Sequence, residues 1–442
     1  MKIALICTEK LPVPPIRGGA IQVLIDGVLP YLNERNDVTV FGITDPDLDP
    51  AEIKNGIEYI RVPQENYVSH IHNALAQKFA DGVSYDLVHV FNRPLDVLTY
   101  KLAQPNSRFV LSLHNEMFKD TKITQEAGEA VIQSVERIMT VSAFIAKTIT
   151  NRFPIAIGKV QPVYSGMDLM KYTPIWDENV QSLRAELRGK YKVDGKKVIL
   201  FVGRLSKVKG PEILLEAMKD VLVVHPDAVV VIVGSKWFSD ETIDDYGKML
   251  RSLAKSLGSN KVIFTGFVPP IQIPTMYLLG DLFVCSSQWE EPLARVHYEA
   301  MGAGLPIITT NRGGNAEVVH HNLNGIVLDD YTNSKAFSEA IIDLLSNADK
   351  ANALSREGRK HAENTFGFEQ VYERLENFYL TAMNAEKAEI MPRRQVERFI
   401  NSMNKQKKKK KRKADGRKRT RKRNDDRKRN KRKSHKHREE KK

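Results

Sequence analysis

Two cysteines, Cys7 and Cys285, are all that 442 residues contain, which excludes a disulfide framework as the source of stability. Both sit in apolar runs, so both are expected in a core and in a reducing compartment. No apolar run approaches the roughly 20 residues that a membrane span requires, and none is expected to cross a bilayer. An export signal is missing too: MKIALICTEK has one lysine before its apolar run and no small-residue cleavage site after it. The N-terminus therefore reads as a first β-strand, and the chain as a soluble, cytoplasmic protein.

What is present is core material. Aliphatic and aromatic residues make up 42% of the chain, enough for two domains of ordinary size, and the length demands more than one core. Charge is unevenly spread. Residues 405–442 hold 24 basic and 5 acidic residues, a net of +19, against 68 and 54 in the whole chain. The first 404 residues are left with 44 basic and 49 acidic, about −5. The alkaline balance belongs to an appendage, which removes the main support for reading the folded part as a nucleic-acid-binding surface.

From Lys2 to about Asn384, short β-branched apolar runs alternate with longer segments of helical period. Strands are expected at 3–8, 38–42, 57–62, 87–91, 109–113, 138–141 and 160–164. A second series follows at 198–202, 228–233, 262–265, 282–285, 306–309 and 325–328. These runs are continuously apolar, as parallel strands covered on both faces must be. Helices such as 212–224, 244–257 and 335–345 fall between them. The pattern predicts an α/β protein with two doubly wound sheets, divided near residues 168–195. Ligands of such sheets bind beyond the carboxyl ends of the strands, so the loops there carry the chemistry.

Three loops are informative. PVPPIRGGAIQ follows the first strand, and Gly18 and Gly19 would let backbone N–H groups approach a ligand at a helix start; a plain tight turn also fits. GRLSKVKGPEILLEAM follows VILFV. Gly203 and Arg204 leave the strand, and Gly210 with Pro211 opens a helix beside Lys209, so two cations would stand at its positive end, a site suited to a diphosphate. The third segment, WEEPLARVHYEAMGAGLPIITTNRGGNAEVV, places Glu291 in a loop and Glu299 in a helix rich in Ala and Gly. A carboxylate among such small residues can accept two hydrogen bonds from a vicinal diol such as a ribose. Gly313 and Gly314 form a further loop, and Glu317 is expected to open the next helix. Trp289 and Tyr298 read as packing residues, Glu290 as a neighbour without a role, and Arg295 as either facing phosphates or solvated.

In combination and order, the Gly-Gly loop, LSLHN, VSAFIAKTI, YSGMD, KYTP, GRLSKVKG, FTGFV, the Glu-x7-Glu pair, EAMGAG and RGGNAE resemble a retaining glycosyltransferase of family 4. The resemblance spans about residues 1–384. It implies the GT-B architecture, two Rossmann-like domains facing a central cleft, and a nucleotide-diphosphate sugar donor. It also implies an N-terminal acceptor-side domain (1–185), a nucleotide-sugar-binding domain (186–366), a crossover helix (367–384) and a linker or helix (385–404). Under it Arg204 and Lys209 would bind the diphosphate and stabilise the leaving group, and Glu299 would hold the ribose. Glu291 would lie near the transferred sugar, His114 would contact a sugar hydroxyl, and Gly266, Phe267 and Val268 would read the base through backbone. Leu293 and Ala294 would complete the donor site. No metal and no cofactor is implied. The chain departs from the pattern where many relatives have Gly-Phe-Gly after the first Glu and this one has Pro292, Leu293 and Ala294, and where Ser165 replaces a frequent Asn.

The segment WEEPLARVHYEAMGAG together with the tail also resembles spore coat glycosyltransferase-like proteins. This would allow a coat location, with either a transferase in coat or surface glycosylation or an inactive structural descendant. The tail itself, KKKKKRK, RKRTRKR, RKRNKRK and HKHR, has almost no apolar residues and is expected to be disordered and to bind a polyanion: nucleic acid, anionic polymer or acidic coat protein. The acceptor, base and sugar are not identified by any motif.

Overall fold

A computed structural model describes residues 1–235 and 244–402; the polycationic segment 405–442 lies outside the described residues. Two sheets carry the fold. The first contains β1 (Lys2–Ile6), β2 (Asp37–Ile43), β3 (Ala51–Lys54), β4 (Ile57–Val62), β5 (Leu87–Phe91), β6 (Arg108–Leu113), β7 (Arg137–Thr140) and β8 (Val160–Pro162). Their order is β3-β4-β2-β1-β5-β6-β7-β8, parallel throughout except for β3, which pairs antiparallel with β4. The second contains β9 (Lys197–Val202), β10 (Ala228–Val233), β11 (Val262–Gly266), β12 (Leu282–Cys285), β13 (Ile307–Thr310) and β14 (Ile326–Leu328). Its order is β11-β10-β9-β12-β13-β14, all parallel.

Continuous apolar runs become central strands because helices cover both faces: all six residues of β10, AVVVIV, are buried. The edge strand β3 was not expected from sequence. Its four residues, AEIK, show no apolar pattern and Ile53 is 78% exposed, so only pairing with β4 defines it. Both cysteines are free and buried, Cys7 just after β1 and Cys285 at the end of β12.

The chain passes from β8 to β9 through residues 163–196, and it returns after the second sheet. At the return, Gly166 abuts the Phe366 backbone and Met167 pairs with Gly367. The helix Phe368–Asn384 then packs on the first sheet, where Phe378 and Tyr379 are fully buried. Gly27 leaves the space that the Phe368 ring occupies. The Tyr379 hydroxyl lies 2.7 Å from Nδ1 of His89, a residue of β5. Among the described residues no helix is long and apolar enough to cross a membrane.

Candidate active site

In the second sheet β9, β10 and β11 run to one side and β12, β13 and β14 to the other, so the strand order reverses between β9 and β12. Loops leaving two such strands diverge, and the crevice between them is where doubly wound sheets bind ligands. Lys209 comes from the loop after β9 and Glu291 from the loop after β12. They meet there: Lys209 Nζ is 2.6 Å from Glu291 Oε2. Ser287 Oγ and Trp289 Nε1 donate to the same oxygen at 3.1 and 2.7 Å. Burial pushes the Glu291 carboxyl up, but Lys209 and these donors outweigh it and hold the group below the usual carboxylate range. The pair is therefore charged, anchored and at the mouth of the crevice.

The surrounding backbone is shaped for it. Pro211 opens the helix Pro211–Val224, and Gly210 before it has φ 63°. Gly313 has φ 58°, and a Cβ there would overlap the Glu291 carbonyl. The next residue, Gly314, donates its N–H to that carbonyl at 2.8 Å. Glu290 fixes the same two loops from the other side, accepting from Gly313 N at 2.8 Å and pairing with Arg312 at 2.9 Å. Arg312 in turn covers the Tyr331 ring at 4.2 Å. Glu290 thus has partners that nothing in its own sequence neighbourhood announces.

Gly203 and Arg204 leave β9, both half-buried. Gly266 ends β11 with φ 73°, and a Cβ there would meet nothing within 4 Å, so Gly266 borders open space; Phe267 is half-buried and Val268 packs against the core. The Leu293 and Ala294 side chains are buried in the core, leaving only their backbone to face a ligand. Glu299 lies in the first turn of the helix Val296–Gly302. One oxygen accepts from the Tyr277 hydroxyl at 2.9 Å, and the other stands 3.7 Å from Arg295. Tyr298 is fully buried.

The first sheet reverses between β1 and β5. Here too two loops present an ion pair: Arg93 Nε and Nη2 each lie 2.7 Å from a different oxygen of Glu9. Gly18 and Gly19, with φ 79° and 107°, precede the helix Ala20–Asn33 on the same side. His114 follows β6. Its N–H donates to Asn92 Oδ1 at 3.1 Å, its ring stacks near Phe91 at 6.1 Å, and Nε2 is buried without a partner. Burial, with the Arg295 charge, lowers its pKa to about 4, so near neutral pH it is an uncharged hydrogen-bonding group.

Residues from both sheets close on one another. Arg295 of the Glu-x7-Glu segment donates to Gly166 O at 2.7 Å and Ser165 Oγ at 3.4 Å, so it is neither solvated nor free for phosphate alone. Glu317 does not open an α-helix; Asn315–Glu317 is a single 3-10 turn. Its carboxylate instead accepts the first two N–H groups of the helix Ala143–Arg152, from Ala143 and Phe144 at 2.7 Å each, and the Tyr164 hydroxyl at 3.0 Å. Ser142 caps the third N–H of that helix, from Ile145. The free donors of one domain's helix are thus satisfied by a carboxylate of the other.

Two largely parallel α/β sheets that face each other through loops at their carboxyl ends have the GT-B architecture. The family described as Glycosyltransferase Family 4 matches residues 19–171, and Glycosyl transferases group 1 matches residues 184–361. Spore coat protein SA of Bacillus subtilis (strain 168) is 48% identical over 379 residues, covering 86% of this chain and 99% of that protein. YtcC of the same organism, which carries a glycosyltransferase name, is 47% identical over 406 residues, 92% of this chain and 98% of that one. Among solved structures, Anabaena Alr3699/HepE in complex with UDP-glucose superposes with a TM-score of 0.67 at 22% identity, covering 86% of this chain and 100% of that one. A glycosyltransferase from Rickettsia africae gives 0.70 at 18% identity, covering 87% and 99%. The chain belongs to the family 4 glycosyltransferases of the GT-B fold.

Proposed function

We propose that the protein is a metal-independent retaining hexosyltransferase that moves a sugar from a nucleotide diphosphate to an acceptor hydroxyl. The observation that carries this reading is the charged Lys209–Glu291 pair at the strand-order reversal, with Glu299 eight positions on. Arg204 and Lys209, at the positive end of the helix Pro211–Val224, bind the diphosphate and stabilise the charge that grows on it as the glycosidic bond breaks. Binding draws Lys209 partly from Glu291, which frees that carboxylate toward the transferred sugar. Glu299 takes the ribose hydroxyls, backbone at Gly266, Phe267 and Val268 borders the base, and the unpartnered Nε2 of His114 hydrogen-bonds the sugar. Backbone N–H groups at Gly18 and Gly19 complete the donor site from the first domain, and the acceptor enters from that domain. HepE was solved with UDP-glucose, which makes uridine nucleotides the first probes.

The test is a thermal-shift screen of UDP, GDP, ADP and their sugars, in which a ligand at 100 times its Kd adds about 2.7 kcal/mol of stability. Retention is then read from the anomer of the product, and EDTA should leave turnover intact.

A structural role in the spore coat is the second reading. It is favoured by the relative named Spore coat protein SA and by Pro292, which removes a backbone donor beside Glu291. Silence across all nucleotides in the screen would select it. In either case we assign the tail to a polyanion, with binding that falls steeply as salt rises, and place the protein in the cytoplasm and the assembling coat.

A further inference from the structure

The chain crosses between the domains twice, and the two crossings run side by side: the Met167 N–H donates to the Phe366 carbonyl at 2.8 Å, and Met167 pairs with Gly367. What flanks them is fixed. Before the outward crossing, the Val163 N–H still donates to the Thr140 carbonyl of β7 at 2.8 Å. After it, the chain is held by the second domain: Arg359 donates to the Tyr172 carbonyl at 2.6 Å, the Ile175 N–H donates to the Ala303 carbonyl at 2.9 Å, and Arg356 lies over the Trp176 ring at 4.7 Å. On the return, the Phe366 N–H donates to the Ala362 carbonyl at 2.8 Å, and the helix Phe368–Asn384 belongs to the first domain. Relative motion of the domains must therefore be taken up at 164–171 and 366–368.

One charged side chain of the second domain reaches into this hinge. Arg295 Nη1 donates to the Gly166 carbonyl at 2.7 Å and to Ser165 Oγ at 3.4 Å. Its other nitrogen, Nη2, stands 3.7 Å from Glu299 Oε1, beyond hydrogen-bond length, while Glu299 Oε2 accepts from the Tyr277 hydroxyl at 2.9 Å. The two charged side chains are 17% and 13% exposed, which leaves their charges weakly screened. The same guanidinium is close enough to His114 of the first domain to help lower its pKa. Arg295 thus stands between the hinge peptide and the carboxylate assigned to the ribose.

We propose that Arg295 is a positioning residue that couples ribose binding at Glu299 to closure of the two domains. This rests on the donor reading above. While the Gly166 carbonyl holds Nη1, the guanidinium is kept 3.7 Å from Glu299, and Oε1 is left to accept a ribose hydroxyl. When the hinge turns and that carbonyl withdraws, the guanidinium loses a neutral partner with a carboxylate beside it. It then closes on Glu299 as an ion pair and takes the oxygen the ribose needs. Donor binding and the closed hinge therefore favour one another, and to the same extent in both directions.

Closure has a reporter in the fold. The Ala143 and Phe144 amides donate only across the cleft, to Glu317 of the other domain, so their hydrogen exchange follows the closed state. The test combines this exchange with calorimetry on full-length native, Arg295→Met and Arg295→Lys proteins, using UDP-glucose and then ADP-glucose and GDP-mannose. In the native protein, the nucleotide sugar should slow exchange at 143–144. Arg295→Met should bind it at least as tightly, because the competitor for Glu299 is gone, yet without added protection at 143–144. Its kcat should fall about tenfold with no rise in donor KM, since His114 is no longer brought to the sugar. Arg295→Lys should bind more weakly than Arg295→Met, because a point charge prefers the carboxylate to the carbonyl. Native-like protection at 143–144 in liganded Arg295→Met, weaker binding by Arg295→Met than by Arg295→Lys, or native binding without added protection would overturn this inference alone. Absence of binding of all three sugars by native protein would overturn the donor reading and the coupling with it.

Discussion

Removing Lys209 should reverse the way stability depends on pH. In the native protein the buried Glu291 carboxyl sits below its usual range because Lys209, Trp289 and Ser287 outweigh burial. A carboxyl with a depressed folded pKa contributes stability that is complete above the unfolded value and lost as pH falls through the folded one. In Lys209→Met the ammonium 2.6 Å away is gone and burial dominates, so the folded pKa rises above the unfolded one. Stability is then complete below the unfolded value and lost as pH rises through the new folded value. Breaking a buried pair by deleting one partner costs about 3 to 5 kcal/mol, and the two side chains, 18% and 8% exposed, argue for the lower figure. Adding Glu291→Gln removes the stranded charge and should restore most of the loss. Urea denaturation at about pH 4, 5 and 8 reads both signs: the native contribution falls below about pH 5 and is flat above it, whereas that of Lys209→Met falls toward pH 8, with each pKa unit of difference equal to about 1.4 kcal/mol. The same pH slope in native and Lys209→Met protein would refute the view that this pair holds Glu291 charged.

Two other substitutions probe the frame around the pair. Glu317→Ala removes two charge-assisted hydrogen bonds to the helix Ala143–Arg152 and should cost about 2 to 4 kcal/mol, with a larger radius of gyration in small-angle scattering as the domains part; an unchanged midpoint and radius would mean that Glu317 does not tie them. Gly313→Ala forces a side chain onto the Glu291 carbonyl at a positive φ. The strain should be about 1 to 3 kcal/mol and nucleotide affinity should fall with Glu291 displaced, so native-like binding by a folded Gly313→Ala protein would contradict the packing described.

The two sheets were legible because parallel strands buried on both faces must be apolar at every position, as β10 is. The antiparallel edge strand β3 was not, since pairing along one side and solvent on the other leave AEIK no pattern to show. Arg204, Lys209 and Glu299 stand out individually, because cations at a helix start and a carboxylate among small residues need a reason, whereas Glu291 took its role from the family resemblance. Their arrangement is another matter. Lys209 and Glu291 are 82 positions apart, and only the adjacency of β9 and β12 at the reversal of strand order puts their loops on either side of one crevice. Glu290 looked like a bystander because its partners, Gly313 and Arg312, are brought to it by loop conformation, and Trp289 read as a packing residue although its indole N–H donates to the Glu291 carboxylate. Glu317 was read as a helix start, yet its contacts lie 173 and 174 positions away in the other domain, which no local pattern encodes.

We assign the crevice between β9 and β12 to the nucleotide-sugar donor. Calorimetric titration of the folded native, Arg204→Ala and Glu299→Ala proteins with the nucleotide sugar selected by the thermal screen tests it most directly. Each variant should lose about 1.5 to 3 kcal/mol of binding free energy, the range of a hydrogen bond to a charged group, while unfolding as the native protein does. Native affinity in both variants would contradict the assignment.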